Sequence, residues 1–268
     1  FASEVSERRF FSELSKQLAS RGVTDVLRKG FRYISELFDM YYPLPSELNP
    51  TAQEMYAKNI FCVTRQLFYS KDNSNSIDVM LSLNGMPVLT MELKNHYTGQ
   101  TVENAIKQYR TDRDAKDPLL APKRCAVHFA VDDDDIRMCT WLYGQNSWFL
   151  PFNKGVSGGA GNPVNPNGVR TAYLWEDILK KKSLSDILEN YAQVVKKKDE
   201  KTGAIKTSVV WPRYHQLEVV RKLLVETRTN GVGNRYLIQH SAGSGKSNSI
   251  TWLAYQLVEL LDGTQPLM

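Results

Sequence analysis

Ile77-Asp-Val-Met-Leu-Ser-Leu-Asn-Gly-Met-Pro-Val-Leu-Thr-Met-Glu-Leu-Lys94 sets two apolar runs on either side of Asn84-Gly85. That pattern predicts a β-hairpin, because a tight turn needs residues that tolerate positive φ. Each run carries charge at the end away from the turn: Asp78 on one, Glu92 and Lys94 on the other. Glu92 and Lys94 are two apart on a strand and share a face, with Leu93 pointing into the opposite layer. Whether Asp78 joins them depends on register. A two-residue loop sets Leu83 opposite Met86 and Asp78 opposite Met91, on the wrong face. A three-residue loop, with Gly85 left-handed in a G1 bulge, pairs Ser82 with Met86 and brings Asp78 to the face of Glu92. A shared site is therefore expected to need an odd loop.

A carboxylate followed by E-x-K on the partner strand is the arrangement of a metal-dependent phosphodiesterase, although E-x-K alone carries little information. Two carboxylates about 4 Å apart repel by roughly 4 kcal/mol at an effective dielectric of about 20. Mg²⁺ reverses that sign. Asp78, Glu92 and the carbonyl of Leu93 are its candidate ligands, with Lys94 positioning or activating water and offsetting charge on phosphorus. The competing reading is an exposed hairpin with an ordinary cross-strand Glu and Lys pair. Charges at the ends of apolar strands favour the site.

Outward from the hairpin, residues 4–20 carry Val5, Phe10, Phe11, Leu14 and Leu18 at helical spacing, closed by Gly22. Residues 59–69 read as a strand. Thr101 is a candidate N-cap for a helix over 101–113 whose inner face is Ala105, Gln108, Tyr109 and Asp112. Residues 124–131 are apolar almost throughout, as in a strand covered on both faces, and 136–142 is the expected neighbour. The intervening Asp132 to Asp135 is read as a solvated turn in preference to a metal site. The glycine- and proline-rich 155–168 predicts a mobile loop. Residues 174–195 read as helix broken near Ser183, and Lys196-Lys-Lys-Asp-Glu-Lys-Thr-Gly203 as a charged linker.

Near the carboxyl end, His240-Ser-Ala-Gly-Ser-Gly-Lys-Ser247 follows a predicted buried strand at 235–239. It precedes a predicted helix at 248–261 carrying Ile250, Leu253, Ala254, Leu257, Leu260 and Leu261. Strand, small-residue loop and helix are the context of a phosphate-binding loop, although His240 stands where the first glycine is usual. Backbone N–H groups of Gly243, Ser244, Gly245 and Lys246 would face a polyphosphate, aided by the helix dipole. Lys246 would reach the β/γ-phosphates of ATP and Ser247 would ligate Mg²⁺. Hydrolysis also needs a carboxylate strand further along, so the chain is read as an amino-terminal piece of a larger motor.

The chain has 268 residues, 42% of them hydrophobic, enough for about two domains. No run approaches the ~20 apolar residues of a membrane span, and the start is too charged for a secretory signal. A soluble, cytoplasmic protein is expected. Cys62, Cys125 and Cys139 are odd in number and widely spaced, which argues against a disulfide framework or zinc knuckle and predicts reduced core residues. A formal charge of +5 is compatible with nucleic acid.

Together these features resemble the restriction subunit of type I restriction-modification enzymes. The carriers are Asp78 with Glu92-Leu-Lys-Asn95, Trp148-Phe-Leu-Pro-Phe-Asn-Lys-Gly155, Trp211-Pro-Arg-Tyr-His-Gln216 and Gln239-His-Ser-Ala-Gly-Ser-Gly-Lys-Ser247. The resemblance implies an α/β nuclease of the PD-(D/E)XK type, a central mixed sheet flanked by helices, over 1–195. A linker at 196–206 would lead to the start of a P-loop, RecA-like superfamily 2 motor over 207–268. It further implies Mg²⁺-dependent cleavage of unmodified duplex DNA, ATP-driven translocation, and methyltransferase and specificity subunits as partners. Asp78, Glu92 and Lys94 match the nuclease triad. Lys246 and Ser247 match the nucleotide loop, and Gln216 falls where such motors read adenine. The family often carries Q-x-x-x-Y on the helix after E-x-K. Here Ala105 stands at the glutamine position before Tyr109, with Gln108 adjacent. The alternatives are a catalytically idle DNA-binding or docking module on an ATP-dependent remodeller, and a type III restriction or repair helicase.

Overall fold

The computed structural model describes residues 3–45, 49–199 and 202–261, without the side chains of residues 259–261. Leu260 and Leu261, assigned above to the last helix's apolar stripe, thus lie outside the described side chains, as do Glu200 and Lys201 of the expected linker. Helices α1 (Glu4–Arg21) and α2 (Val23–Lys29) lead to a small hairpin, β1 (Phe31–Tyr33) and β2 (Glu36–Phe38), and to α3 (Pro50–Ala57). Then come β3 (Phe61–Phe68), β4 (Ser76–Leu83), β5 (Met86–Leu93), α4 (Val102–Thr111), β6 (Val127–Val131), β7 (Ile136–Cys139) and β8 (Leu150–Pro151). Strands β3 to β8 form one six-stranded sheet in chain order. All neighbours are antiparallel except β5 and β6, which are parallel because the chain crosses back through α4.

Helices cover both faces. On one, α4 lays Val102, Ala105 and Ile106 against Ala130 of β6. On the other, Leu89, Met91, Val127, Phe129 and Val131 join one cluster with Phe10, Leu14 and Leu18 of α1 and Val26 and Leu27 of α2. Every residue of β6 is buried, as a strand sandwiched between helical layers requires. Val5 and Phe11, expected on the α1 stripe, are exposed.

The β4–β5 turn differs from the odd loop expected. Asn84 and Gly85 both take positive φ, 50° and 79°, and Leu83 pairs with Met86 across a two-residue turn. Ser82 then faces Pro87, but Leu81 faces Leu89, so Val88 is an extra residue on β5. Proline has no N–H to donate to the ladder, and such positions are where bulges form. The bulge resets parity, so Val79 pairs with Met91 and the next step sets Asp78 beside Glu92. The face-sharing survives by a different device.

Beyond the sheet, a π-helical stretch (Leu174–Ile178), α5 (Lys181–Asp186) and a second π-helical stretch (Ile187–Tyr191) follow. The interruption falls at Leu179 and Lys180, ahead of the expected Ser183. Residues 196–198 and 205–206 of the expected linker lie in paired strands: β9 (Gln193–Lys198) pairs with β10 (Ile205–Val210). Helices α6 (Tyr214–Asn230) and α7 (Lys246–Leu261) complete the chain. Leu217, Val220, Leu224 and Trp252 enter the main cluster, and Arg221 of α6 holds Asp186 of α5 at 2.7 Å. The predicted strand at 235–239 does not form; Tyr236, Leu237 and Ile238 are exposed, Leu237 at 94%. A strand needs a paired neighbour, and none of the described strands lies alongside it. The loop at 155–168 is irregular, but Asn162 is buried and donates to the Asp134 carbonyl and to Asn153 Oδ1, both at 2.9 Å. Cys125 and Cys139 are free and buried, while Cys62 is free but exposed, contrary to the core position expected. No helix among the described residues is long and apolar enough to cross a membrane.

Candidate active site

The bulged hairpin brings Asp78, Glu92, Leu93 and Lys94 to one end of adjacent strands. Asp78 Oδ2 accepts a hydrogen bond from the Leu93 amide at 2.8 Å, tying the β4 carboxylate to β5 beside Glu92. Glu92 is fully buried. Its Oε1 accepts from Arg113 Nε at 2.7 Å, while its Oε2 is buried with no hydrogen-bond partner. Burial pushes the Glu92 carboxyl up to about 7; Arg113 pulls it down and the neighbouring Asp78 pushes it further up. Lys94 follows directly, its amide bonded to the Val131 carbonyl at 2.8 Å. It is half-buried, and its ammonium makes no ion pair among the described residues.

A buried carboxylate oxygen with no donor is unfavourable unless it takes up a proton or something positive approaches it. A divalent cation, a hard acceptor of carboxylate oxygens, fits that requirement. No group of three or more His, Cys, Asp or Glu able to hold a metal occurs among the described residues, so a cation here relies on the two carboxylates and on backbone or solvent oxygen. The Asp132 to Asp135 turn is structural and less solvated than expected. Asp132 is buried; its Oδ1 accepts from the Asp134 and Asp135 amides at 2.8 and 2.7 Å, and its Oδ2 from Val102 N, the first amide of α4, at 2.7 Å.

Beneath Glu92 lies a buried polar chain of which sequence reasoning named only Tyr109. Thr90, two residues earlier on the same face, meets Tyr109 Oη at 2.8 Å and His128 Nδ1 at 2.7 Å. Burial drives the His128 imidazole down to about 3, so it is neutral. Arg113 was missed as well, though Val102, Ala105, Ile106, Tyr109 and Arg113 share helical spacing. An arginine on an apolar stripe was the available signal. Asp112, expected inside, is exposed.

The second group of predicted residues also comes together. Gly243 and Gly245 take φ of 72° and 80°, and the loop runs straight into α7 at Lys246. Lys246 Nζ rests on the carbonyls of His240 at 3.1 Å and Ser241 at 2.9 Å. Gln216 Nε2 donates to the Ser244 and Gly245 carbonyls at 3.1 and 2.9 Å, and its Oε1 accepts from Arg213 N at 2.9 Å. His215 Nε2 also meets the Ser244 carbonyl, at 3.0 Å. Ser247 is exposed on the first turn of α7.

The profile of the family described as type I restriction enzyme R protein N terminus matches residues 9–147. This chain belongs to that R-protein family. A putative type I restriction enzyme MjaVIIIP endonuclease subunit from Methanocaldococcus jannaschii is 31% identical over 214 residues, covering 74% of this chain and 18% of the relative. The chain thus corresponds to under a fifth of that relative's length. Asp78, Glu92, Leu93, Lys94 and Arg113 all fall inside the stretch matched to the R-protein family, whereas the loop at 240–247 lies beyond it.

Proposed function

We propose that the described sheet is the nuclease domain of a type I restriction enzyme R subunit, hydrolysing phosphodiester bonds of unmodified duplex DNA with Mg²⁺. The observation that carries this reading is the Val88 bulge, which sets Asp78 beside a buried Glu92 whose Oε2 has no donor. Asp78, Glu92 and the Leu93 carbonyl would hold the cation. Bound there, Mg²⁺ would supply a Lewis acid for the scissile phosphate and lower the pKa of water. Lys94, with no ion pair among the described residues, would position water and offset charge developing on phosphorus.

The same reading places the start of an ATP-dependent motor in residues 207–268, with 196–206 joining it to the nuclease. Gly243, Ser244, Gly245, Lys246 and Ser247 would cradle the phosphates of ATP. Lys246 would exchange the carbonyls of His240 and Ser241 for phosphate oxygens. Gln216 would contribute from the adenine side, exchanging its bonds to the loop. DNA translocation, and assembly with methyltransferase and specificity subunits in the cytoplasm, belong to the same proposal.

One observation favours a second reading, an idle DNA-binding or docking module: Arg113 already neutralises one oxygen of Glu92 without a metal. Separation of the two activities decides between them. In an assembled enzyme, the R subunit carrying Lys94→Ala is expected to hydrolyse ATP and leave unmodified DNA intact.

A further inference from the structure

Arg113 lies just past the end of α4, and its side chain is 7% exposed. An arginine is rarely this buried unless it is paired. Its guanidinium reaches two strands at once: Nε donates to Glu92 Oε1 of β5 at 2.7 Å, and Nη2 donates to the Ser76 carbonyl of β4 at 2.8 Å. Tyr69, beyond the end of β3, places its buried hydroxyl beside the same guanidinium. Two donors on a rigid plane, fixed to a carboxylate and to a backbone carbonyl, leave the carboxylate little rotational freedom.

We propose that Arg113 is a positioning residue of the nuclease site, an inference that rests on the metal-dependent reading above. By engaging Oε1 alone, it leaves Oε2 as the oxygen without a partner and would make Glu92 a one-oxygen ligand. It also clamps β4 to β5 at the level where their carboxylates must act together. Lysine can match the charge but not the plane: a single ammonium on a flexible stem does not hold Glu92 and the Ser76 carbonyl in one fixed geometry. Charge compensation and orientation are therefore separable by substitution.

The experiment is a calorimetric titration of the protein with Mn²⁺, alongside thermal melts, for wild type, Arg113→Lys and Arg113→Gln. Orienting partners outside the ligand shell typically contribute about 10–100-fold to metal affinity. Arg113→Lys is expected to melt near the wild-type temperature yet bind Mn²⁺ at least about tenfold more weakly. Arg113→Gln, neutral and able to donate to one partner, is expected to lose the same affinity; it supplies the test at 10 °C, with circular dichroism verifying the fold, if the lysine variant does not fold. Wild-type affinity in either folded variant would overturn the positioning role and leave the metal site standing. A purely structural arginine would instead give an affinity that lysine restores. Absence of Mn²⁺ binding to wild type would overturn the underlying site, and the role of Arg113 with it.

Discussion

Lowering the pH should weaken divalent-cation binding through Glu92. Its carboxyl sits at about 7 instead of the ordinary 4.5, because burial outweighs the pull of Arg113. The groups facing it are Asp78 on β4, Arg113 and Tyr109 from the α4 side, and Tyr69 after β3. Only the ionised carboxylate ligates metal, so at pH 6 about one tenth of the molecules are ready to bind and affinity should be about tenfold below its plateau above pH 8. About half a proton should be released per cation at pH 7. Without metal the sign is opposite. A raised carboxyl stabilises the fold fully below 4.5, and that contribution, about 3 kcal/mol, is lost as pH rises through about 7. Paired carboxylates elsewhere, such as Asp25, act in the other direction, so the Glu92 contribution is the difference in stability between wild type and Glu92→Gln. Calorimetry in buffers of differing ionisation enthalpy measures both affinity and proton release. Constant affinity from pH 6 to 8, with no buffer-dependent heat, would refute the assignment of Glu92 as a buried ligand.

Thr90→Val keeps shape but leaves Tyr109 Oη and His128 Nδ1 unpaired in the core. Urea unfolding should show a loss of about 2 kcal/mol, and a change below about 0.5 kcal/mol would mean that the chain of hydrogen bonds adds nothing. At Gly245, a Cβ would collide with Gln216 Nε2, at a backbone φ of 80°. Gly245→Ala should therefore lower stability by more than the ~1 kcal/mol of a left-handed alanine, and by less in a Gln216→Ala background where the collision is gone; equal losses in both would show that Gln216 does not seat the loop.

Much of the sheet was legible because its signals are local. Asn84-Gly85 marked the turn, Thr101 the start of α4, and the unbroken apolar run before Val131 a strand covered on both faces. The bulge was not read, yet Pro87 carried its cause: a residue with no donor one step from the turn. Arg113 escaped because its role is tertiary, contacting a strand 21 residues earlier. The stretch at 235–239 has strand composition but finds no partner among the described strands, and strand propensity without a neighbour decides nothing. The Lys-rich 196–198 looked like a linker because charge dominates its composition. Pairing with the alternating, β-branched 205–210 makes it a hairpin.

Asp78, Glu92 and Lys94 are proposed to cut DNA while the loop at 240–247 serves a separate ATP-driven step. The most direct measurement takes full-length R subunit carrying Lys94→Ala, assembled with its methyltransferase and specificity partners, and follows double-strand breaks in unmodified DNA together with ATP turnover. Removing the ammonium leaves both carboxylates in place but withdraws a contribution usually worth about 3 kcal/mol in a water-excluded site, a cleavage rate lower by 100-fold or more. ATP turnover is expected at the wild-type rate, with breaks formed at least about 100-fold more slowly. Breaks at the wild-type rate would contradict the nuclease assignment and leave the sheet as a docking or DNA-binding module.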